Sequence, residues 1–393
     1  MSGAWVSSSD RALTMAAGQI RLIRAVTPTN AESELTALET AFRRGAERLP
    51  RWHYDPLPVP PELPRALEAL AAFLDKEPPL GPIYAARARE LGLEAALVDA
   101  AGSPRLTARA RERFLGTTPE ARGDTARADE LASRWTNGSA TSGPPTEANA
   151  AGRVRSCNAK DPRSLLSRMA NEVGQKRLPM RVLVHAGLAS LAATGDGVIL
   201  VAENKWLSPR DIERTVLHEI EGHALPRARA RRAPLAIFAF GTARGIDDQE
   251  GRAVAIEEKS GFLDPARRFE LGCRHLAARA TLESADFMDV VGLLRARGAT
   301  IESALRIAAR VQRGSHGVGG LGREVVYLTG RCKMERLLRS SDGGKIEDVM
   351  RGGRIAADVA LELDAALSDE RSERSGHFGL SSARKSTASN ASH

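Results

Sequence analysis

Two histidines and a glutamate lie close together in the segment TVLHEIEGHAL, residues 215–225. His218 and His223 are of the residue type that binds zinc through a ring nitrogen, and Glu219, beside the first of them, is a candidate general base. The best-known zinc signature on a helix has histidines four residues apart, whereas these are five apart. At about 100° per residue, an ideal helix would turn His223 roughly 140° away from His218. A metal site here therefore requires a local change in helix geometry.

A wider helical turn would supply that change. Gly222 comes directly before His223 and lets one extra residue bulge out of the helix. A single π-type turn of about 4.4 residues would bring position i+5 within roughly 50° of His218. We therefore predict such a turn, with both histidines as zinc ligands and an open position for a water whose proton Glu219 takes, which is the chemistry of peptide hydrolysis. The alternative is a chance pattern on an ordinary helix, with histidines that cap carbonyl groups.

The site needs a third protein ligand, expected on a helix further along the chain. The candidates are Glu221, Asp247, Asp248, Glu250, Glu257 and His275. Glu250 is favoured, because it lies in the first turn of the next predicted helix beside Gly251, whose missing side chain permits close packing. Asp247 and Asp248 are expected to be N-caps of that helix. Glu257 is expected either to hold the second ring nitrogen of a histidine ligand or to be a solvated charge.

The elements that position the motif follow from shorter patterns. Ser208 and Asp211 have the spacing of a capping box, and Pro209 occupies the favoured first position, so a helix is predicted to begin here. Pro226 is expected to end it. Before it, MRVLVHAG (residues 180–187) and GVILVA (residues 197–202) predict two strands of a β-hairpin, with TGDG suited to a turn. The buried stripe of the helix repeats every four residues, at Ile212, Val216 and Ile220.

Composition limits the class of protein. With 42% hydrophobic and 27% charged residues and no run of 18 apolar residues, the chain is expected to be globular, without a membrane span. The N-terminal segment lacks the apolar centre of a secretory signal, which predicts a cytoplasmic protein. Three widely spaced cysteines, Cys157, Cys273 and Cys332, suggest neither a disulfide framework nor a thiolate metal site. The sequence indicates no oligomeric state.

The positive charge favours acidic partners rather than nucleic acid. The net charge is +8, and its densest run is PRARARRAP, residues 226–234. Arginine alternates with alanine there and no aromatic residue is interleaved for base stacking. We interpret this run as a solvated or substrate-facing loop, and expect no nucleic-acid partner.

Three blocks resemble a known family when they are taken in order: HEIEGH, then PLAIFAFGTARGIDDQEGRAVAIEE, then RVQRGSHGVGGLGREVVYLTG. They resemble the microtubule-associated tyrosine carboxypeptidases and their bacterial relatives, the QEGLP-motif proteins, over about residues 25–345. That family has an HExxxH helix, an [QE]EGLA helix, an RVxRG segment and a [KR]DxxYLxG segment. The resemblance implies one zinc ion per chain on His218, His223 and Glu250, with Glu219 as the catalytic glutamate. It also implies a substrate that is a peptide or protein C-terminus, which in the eukaryotic members is the C-terminal tyrosine of tubulin.

Two positions depart from the family pattern. Arg252 replaces the usual leucine after QEG, and Glu324 replaces the aspartate before VVYLTG. Neither belongs to the implied ligand set, and both leave the specificity open. A weaker resemblance is to dipeptidyl-peptidase III, which also carries HExxGH but has its third glutamate farther along the chain.

The segment RVQRG offers residues for substrate recognition. An arginine fork binds a terminal carboxylate bidentately, and Arg310 and Arg313 are the candidates. Tyr327 could donate a hydrogen bond to the oxyanion that forms at the scissile carbonyl. The alternative is that the arginines are helix-end charges and that Tyr327 belongs to the core.

The fold class predicted from all of this is α+β and mostly helical, with a zincin-like catalytic unit whose small β-sheet lies beside the metal-binding helix. The predicted parts are an N-terminal extension (residues 1–24), a helical N-terminal region (25–135), a linker or loop (136–152), a zinc metallopeptidase-like catalytic region (153–367) and a disordered tail (368–393). The predicted function is a zinc-dependent peptidase, most simply a carboxypeptidase. The alternative is a catalytically silent binding or regulatory protein that keeps the zinc fold, although an intact Glu219 favours the enzyme.

Overall fold

The structure, a computed structural model, describes residues 4–137 and 152–368. Most of the predicted linker and almost all of the predicted C-terminal tail lie outside the described residues. Within them, helices dominate and the sheets are small, so the prediction of a mostly helical α+β fold is confirmed. Among these residues, no helix combines the length and the apolar character that a membrane span requires.

Helices account for the N-terminal part of the chain, as its three- and four-residue apolar spacing predicts. Residues of the predicted N-terminal extension form the first of them, and its Val6 and Leu13 are buried in the core. The helices are α1 (Ala4–Gln19), α2 (Leu22–Val26), α3 (Ala31–Arg43), α4 (Leu63–Leu74), α5 (Gly81–Asp99), α6 (Arg105–Phe114) and α7 (Pro119–Thr136).

Two small sheets follow. Their strands are β1 (Val154–Arg155), β2 (Arg181–His185), β3 (Ala192–Thr194), β4 (Val198–Ala202) and β5 (Trp206–Leu207), with helix α8 (Leu165–Gln175) between β1 and β2. Strand β1 pairs with β5, and the second sheet has the order β2-β4-β3.

The predicted hairpin of residues 180–187 with 197–202 is wrong. Strand β2 lies parallel to β4, and β4 forms its hairpin with β3, through the turn at TGDG. The short strand β3 has only small or polar side chains, Ala-Ala-Thr, so its sequence carries no apolar alternation by which it could be recognised.

Helices make up most of the remaining chain. They are α9 (Pro209–Leu217), a π-helical segment (His218–Ala224), α10 (Leu225–Ala230), α11 (Ile237–Phe240), α12 (Gly245–Lys259), α13 (Pro265–Leu282), α14 (Phe287–Ala296), α15 (Ile301–Val311), α16 (Val325–Leu338), α17 (Gly343–Arg351) and a 3-10 turn (Ala357–Val359).

Three apolar clusters hold these elements together. The largest joins α5, α6 and α7 of the N-terminal part to α12 through α16, and a second joins α1, α4 and α5 to α16 and α17. The third lies between the sheets, α8, α9 and the π-helical segment, and it includes Ile199 of β4 and the predicted stripe of Ile212, Val216 and Ile220. This third cluster fixes the motif helix against the β3–β4 hairpin.

Candidate metal centre and active site

The helix that carries the histidines changes its pitch at His218. Helix α9 begins at the predicted cap, where Ser208 Oγ accepts a hydrogen bond from the backbone N–H of Asp211 at 3.1 Å. The residues His218–Ala224 are π-helical, so the predicted wider turn is confirmed. It brings the two imidazole rings to the same side of the helix, with ring centroids 5.2 Å apart.

The predicted end of this helix at Pro226 is wrong. The chain continues as α10, in which Pro226 is one of the first two residues. A proline is tolerated at the start of a helical segment, where its missing N–H would have no partner. The π-helical segment directly before it has already interrupted the regular ladder of hydrogen bonds.

Gly222 is required for packing. A Cβ atom at this position would lie 2.7 Å from Cβ of Ala253 in α12, closer than two such atoms approach. Gly251 has the same effect on the other side of α12, where a Cβ would lie 2.2 Å from the backbone of Gly330 in α16. Helix α12 is thus held tightly between the π-helical segment and α16, and Glu250 lies on it.

The side chains of His218, His223 and Glu250 converge. Their nearest ligand atoms all lie within 4.8 Å of one another, and this is the one group of potential metal ligands of this kind within residues 4–137 and 152–368. Glu250 Oε2 is 3.6 Å from Nε2 of His218 and 3.5 Å from Nε2 of His223. Each side chain is about one-tenth exposed, with 12%, 9% and 11% for His218, His223 and Glu250. The site is therefore enclosed but reachable.

Glu257 holds the other ring nitrogen of His218. Its Oε1 lies 2.7 Å from His218 Nδ1, while Arg267 donates to both carboxylate oxygens of Glu257 at 2.9 and 3.0 Å. Burial acts to raise the pKa of Glu257, but Arg267 and His218 outweigh it and hold that pKa well below its usual range. Glu257 is thus an anion that orients the ring and leaves Nε2 of His218 to face Glu250.

Glu219 is buried and is held by a residue that the sequence did not single out. Thr194, the last residue of β3, donates a hydrogen bond from Oγ1 to Glu219 Oε2 at 2.7 Å. Within the described residues, no hydrogen bond reaches Oε1 of Glu219. The β3–β4 hairpin therefore fixes one carboxylate oxygen and leaves the other available.

Glu250 also has an arginine partner that the sequence did not single out. Arg323 Nη2 donates to Glu250 Oε1 at 3.2 Å, so the two carboxylate oxygens face different groups. Burial acts to raise the pKa of Glu250, but the two histidines and Arg323 outweigh it and hold that pKa well below its usual range.

The other candidates for a third ligand have ionic partners away from the two histidines. Asp247 and Asp248 are not N-caps, because α12 begins before them at Gly245 and both are buried within its first turn. The ionic pairs are Glu221 with Lys176, Asp247 with Arg113, Asp248 with Lys333 and His275 with Asp129.

Arg310 and Arg313 both lie against the fully buried carboxylate of Glu324. Arg310 Nε is 2.8 Å and Arg313 Nη2 is 3.5 Å from Glu324 Oε1, and Arg274 Nε donates to Oε2 at 2.7 Å. Burial acts to raise the pKa of Glu324, but the three arginines hold it well below its usual range. Three guanidinium groups thus share one carboxylate, and Arg274 also pairs with Glu270 at 3.5 Å.

Tyr327 is close to this cluster and interacts electrostatically with Glu250. Its ring packs under the Arg274 guanidinium at 4.3 Å, and the side chain is 7% exposed within the largest apolar cluster. Burial raises the pKa of Tyr327, and the nearby charges of Glu250 and Glu324 raise it further, so the hydroxyl group keeps its proton. Within the described part of the chain, that hydroxyl group has no hydrogen-bond partner.

Comparison with known proteins adds one match. A family model described as microtubule-associated tyrosine carboxypeptidase matches residues 39–379, which is most of the chain. The matched region contains the helices and the hairpin that bear the converging side chains. No curated protein matches the chain.

Proposed function

We propose that this chain, which belongs to the microtubule-associated tyrosine carboxypeptidase family, is a zinc-dependent carboxypeptidase. The observation that carries the proposal is the convergence of His218, His223 and Glu250 beside the buried carboxylate of Glu219. The family supports a carboxypeptidase-like reaction, and the set of side chains supports a metal ion in it.

His218, His223 and Glu250 would hold the zinc ion. Two imidazole nitrogens and one carboxylate oxygen are the donor set of many catalytic zinc sites, which leave a fourth position open. With zinc–ligand bonds of about 2.0–2.1 Å, the ligand atoms of a tetrahedral site lie roughly 3.3 Å apart, close to the 3.5 and 3.6 Å measured here. A bound zinc ion would polarise a water molecule and the scissile carbonyl group.

Glu219 is the residue that we assign to proton transfer. Thr194 binds its Oε2, so Oε1 is the atom that accepts a proton from the attacking water. The water oxygen forms the new bond to the carbonyl carbon. Glu219 then delivers the proton to the nitrogen of the leaving amino acid as the C–N bond breaks, and the carboxylate is restored.

Tyr327 and the neighbouring arginines would act on the substrate. The Tyr327 hydroxyl group, which keeps its proton and lacks a protein partner in the described residues, would donate a hydrogen bond to the carbonyl oxygen as negative charge develops there. Arg310 and Arg313 would attract the terminal carboxylate, because within the described residues both pair with the same single carboxylate, that of Glu324.

The catalytic region would be a zincin-like unit. Its features are a histidine-bearing helix, a small sheet packed on the same apolar cluster, and a short strand whose Thr194 touches the proposed base. We assign Glu257 to the orientation of His218 in this unit.

Metal analysis tests the proposal directly. Purified wild-type protein should contain about one zinc ion per chain and release the C-terminal residue of a peptide, as a site with two histidines and one carboxylate requires. The variant His223→Ala should lose both properties. Wild-type protein that takes up no divalent metal after reconstitution would overturn the proposal.

A further inference from the structure

A second arginine site lies close to the proposed active site. Arg227 of α10 is four residues beyond His223, and its side chain is 14% exposed. Its Nε and Nη1 atoms are fully buried and have no hydrogen-bond partner within the described residues. Arg227 also interacts electrostatically with Glu219 and Glu250, which places its charge near the centre of the site. A buried guanidinium group without hydrogen bonds is costly, so Arg227 would gain from contact with an anion.

The nearest acid is an exposed aspartate on the β3–β4 hairpin. Asp196 Oδ1 lies 3.6 Å from Arg227 Nε, makes no hydrogen bond with it, and belongs to a side chain that is 75% exposed. Asp196 comes two residues after Thr194, which binds Glu219. The β3–β4 hairpin therefore contacts Glu219 through Thr194 and Arg227 through Asp196.

A second guanidinium group meets the same aspartate. Arg354, between α17 and the 3-10 turn, forms an ion pair with Asp196, and its own Nε is buried without a hydrogen-bond partner in the described chain. Two largely buried arginines thus share one exposed carboxylate. Ion pairs of an exposed acid are weak, because water competes for it, so Asp196 can leave at little cost.

We infer that Arg227 and Arg354 form a carboxylate-binding subsite for the substrate, and that Asp196 is an internal counter-ion which the substrate carboxylate displaces. The inference rests on the proposed function, since a peptide is the ligand. An arginine donates charge-assisted hydrogen bonds to a carboxylate, and Nε and Nη1 of Arg227 have no hydrogen-bond partner among the described residues. The run of residues 226–234 was predicted to be a solvated or substrate-facing loop, but its first five residues belong to helix α10, where Arg227 is turned inward.

The carboxylate has two possible sources in a peptide. If the terminal carboxylate binds at Arg310 and Arg313, the group at Arg227 is an acidic side chain of the substrate. If the terminal carboxylate binds at Arg227, the arginines around Glu324 serve instead to orient Glu324 and Tyr327. Either carboxylate would make the same contact with Arg227. Pairs of peptides that differ in one of the two carboxylates distinguish the sources.

The experiment measures binding rather than turnover. Zinc-loaded Glu219→Gln protein is titrated with a fluorescent peptide that has a glutamate next to last and a free C-terminus, and Kd is read from anisotropy. Arg227→Gln, added to this protein, should raise Kd about tenfold or more, because it removes a charged hydrogen-bonding pair. Asp196→Asn should lower Kd by about threefold or more, because the competing carboxylate is gone. Arg232→Gln, an equal charge change at an exposed residue, should leave Kd unchanged.

Two peptide twins identify the source of the carboxylate. If Arg227→Gln no longer raises Kd for the C-terminally amidated peptide, Arg227 binds the terminal carboxylate. If it no longer raises Kd for the peptide with glutamine next to last, Arg227 binds the glutamate side chain. An unchanged Kd in folded Arg227→Gln protein, or no binding of the parent peptide at all, overturns the inference. Arg227→Lys, which keeps the charge and most of the volume, should still bind weakly and covers the case in which the glutamine variant is unstable. Since Kd is measured without hydrolysis, an inactive wild-type protein would contradict the proposed function alone.

Discussion

Glu257 Oε1 lies 2.7 Å from Nδ1 of His218, and the carboxylate that makes this contact has no exposed surface. The pair joins the histidine of the π-helical segment to the far end of α12, the helix that also carries Glu250. Through Arg267, the same carboxylate is tied to α13. The orientation of one proposed zinc ligand thus depends on a chain of contacts that starts outside the site.

Glu257→Gln should therefore weaken zinc binding without removing a ligand. Groups that hold the second nitrogen of a histidine ligand are worth about 10- to 100-fold in metal affinity, and we expect a loss in that range. The measurement is a zinc competition titration with a chelator. Glu258→Gln is the matched control, because Glu258 is the adjacent residue, is 37% exposed and pairs with Arg331. Equal effects of the two substitutions would contradict the assignment.

Glu219→Gln should keep the fold and the zinc and lose activity. The amide has the shape of the carboxylate but cannot accept the proton, so kcat should fall by at least about a hundredfold. Steady-state kinetics and metal analysis of the same preparation measure both properties. Thr194→Val is the graded companion, expected to lower kcat about tenfold through loss of one hydrogen bond to a charged group. Full turnover by Glu219→Gln would assign the base to another residue.

Gly251→Ala tests the packing that brings Glu250 to the histidines. The added Cβ would lie 2.2 to 2.6 Å from backbone atoms of Gly330, which cannot rotate away as a side chain could. We expect a loss of about 2–3 kcal/mol in the free energy of unfolding, measured in urea. Gly174→Ala in α8 is the control, since its Cβ would meet nothing within 4 Å, and it should be neutral or stabilising by about 1 kcal/mol. A fully stable Gly251→Ala protein would show that α12 can shift.

Much of this site follows from the sequence because its geometry is local. The five-residue spacing of His218 and His223 would separate their side chains on an ideal helix, so a π-type turn is the solution that brings both to the same side. The closely packed Gly251 points to the helix that carries Glu250. Thr194, Arg227 and Arg323 could not be found in this way. Thr194 and Arg323 meet their partners across 25 and 73 residues, respectively, and Arg227 stands in a run of similar exposed arginines.

Two structural predictions failed for the same reason, that tertiary contacts decide what a short pattern becomes. Asp247 and Asp248 resemble caps, yet Arg113 and Lys333 bind them inside the first turn of α12. Strand β2 was expected to pair with β4 through a tight turn, yet β3 occupies the hairpin position, and β2 joins the sheet from the other side. The local sequence around the two aspartates and around β2 does not reveal these tertiary partners.

Glu324→Gln should be strongly destabilising at neutral pH. It leaves Arg274, Arg310 and Arg313 without the buried anion that they share, which typically costs about 3–5 kcal/mol. The folded pKa of Glu324 lies below its ordinary value of 4.5, so its contribution is fully present above that value and is lost as the pH falls through the folded pKa.

Urea unfolding of both proteins between pH 7 and pH 3 measures this effect. The stability gap between wild type and Glu324→Gln should be widest at pH 7 and should narrow once the pH falls below 4.5. Glu302→Gln, which removes an exposed partner of Arg306, should change stability by less than about 0.5 kcal/mol. A gap that does not change with pH would rule out a charged Glu324 as its origin.

Substrate recognition should separate Arg313 from Tyr327. Arg313→Ala should raise KM for peptides with a free C-terminus, because the positive charge attracts the carboxylate in the ground state and the transition state alike. Tyr327→Phe should mainly lower kcat, by about tenfold or more, because its hydrogen bond strengthens only as the carbonyl oxygen becomes negative. The assay compares a peptide with its C-terminally amidated twin. Equal cleavage of the two peptides by the wild-type enzyme would exclude recognition of the terminal carboxylate. An unchanged kcat in Tyr327→Phe would show that Tyr327 serves only to pack the core in which it is buried.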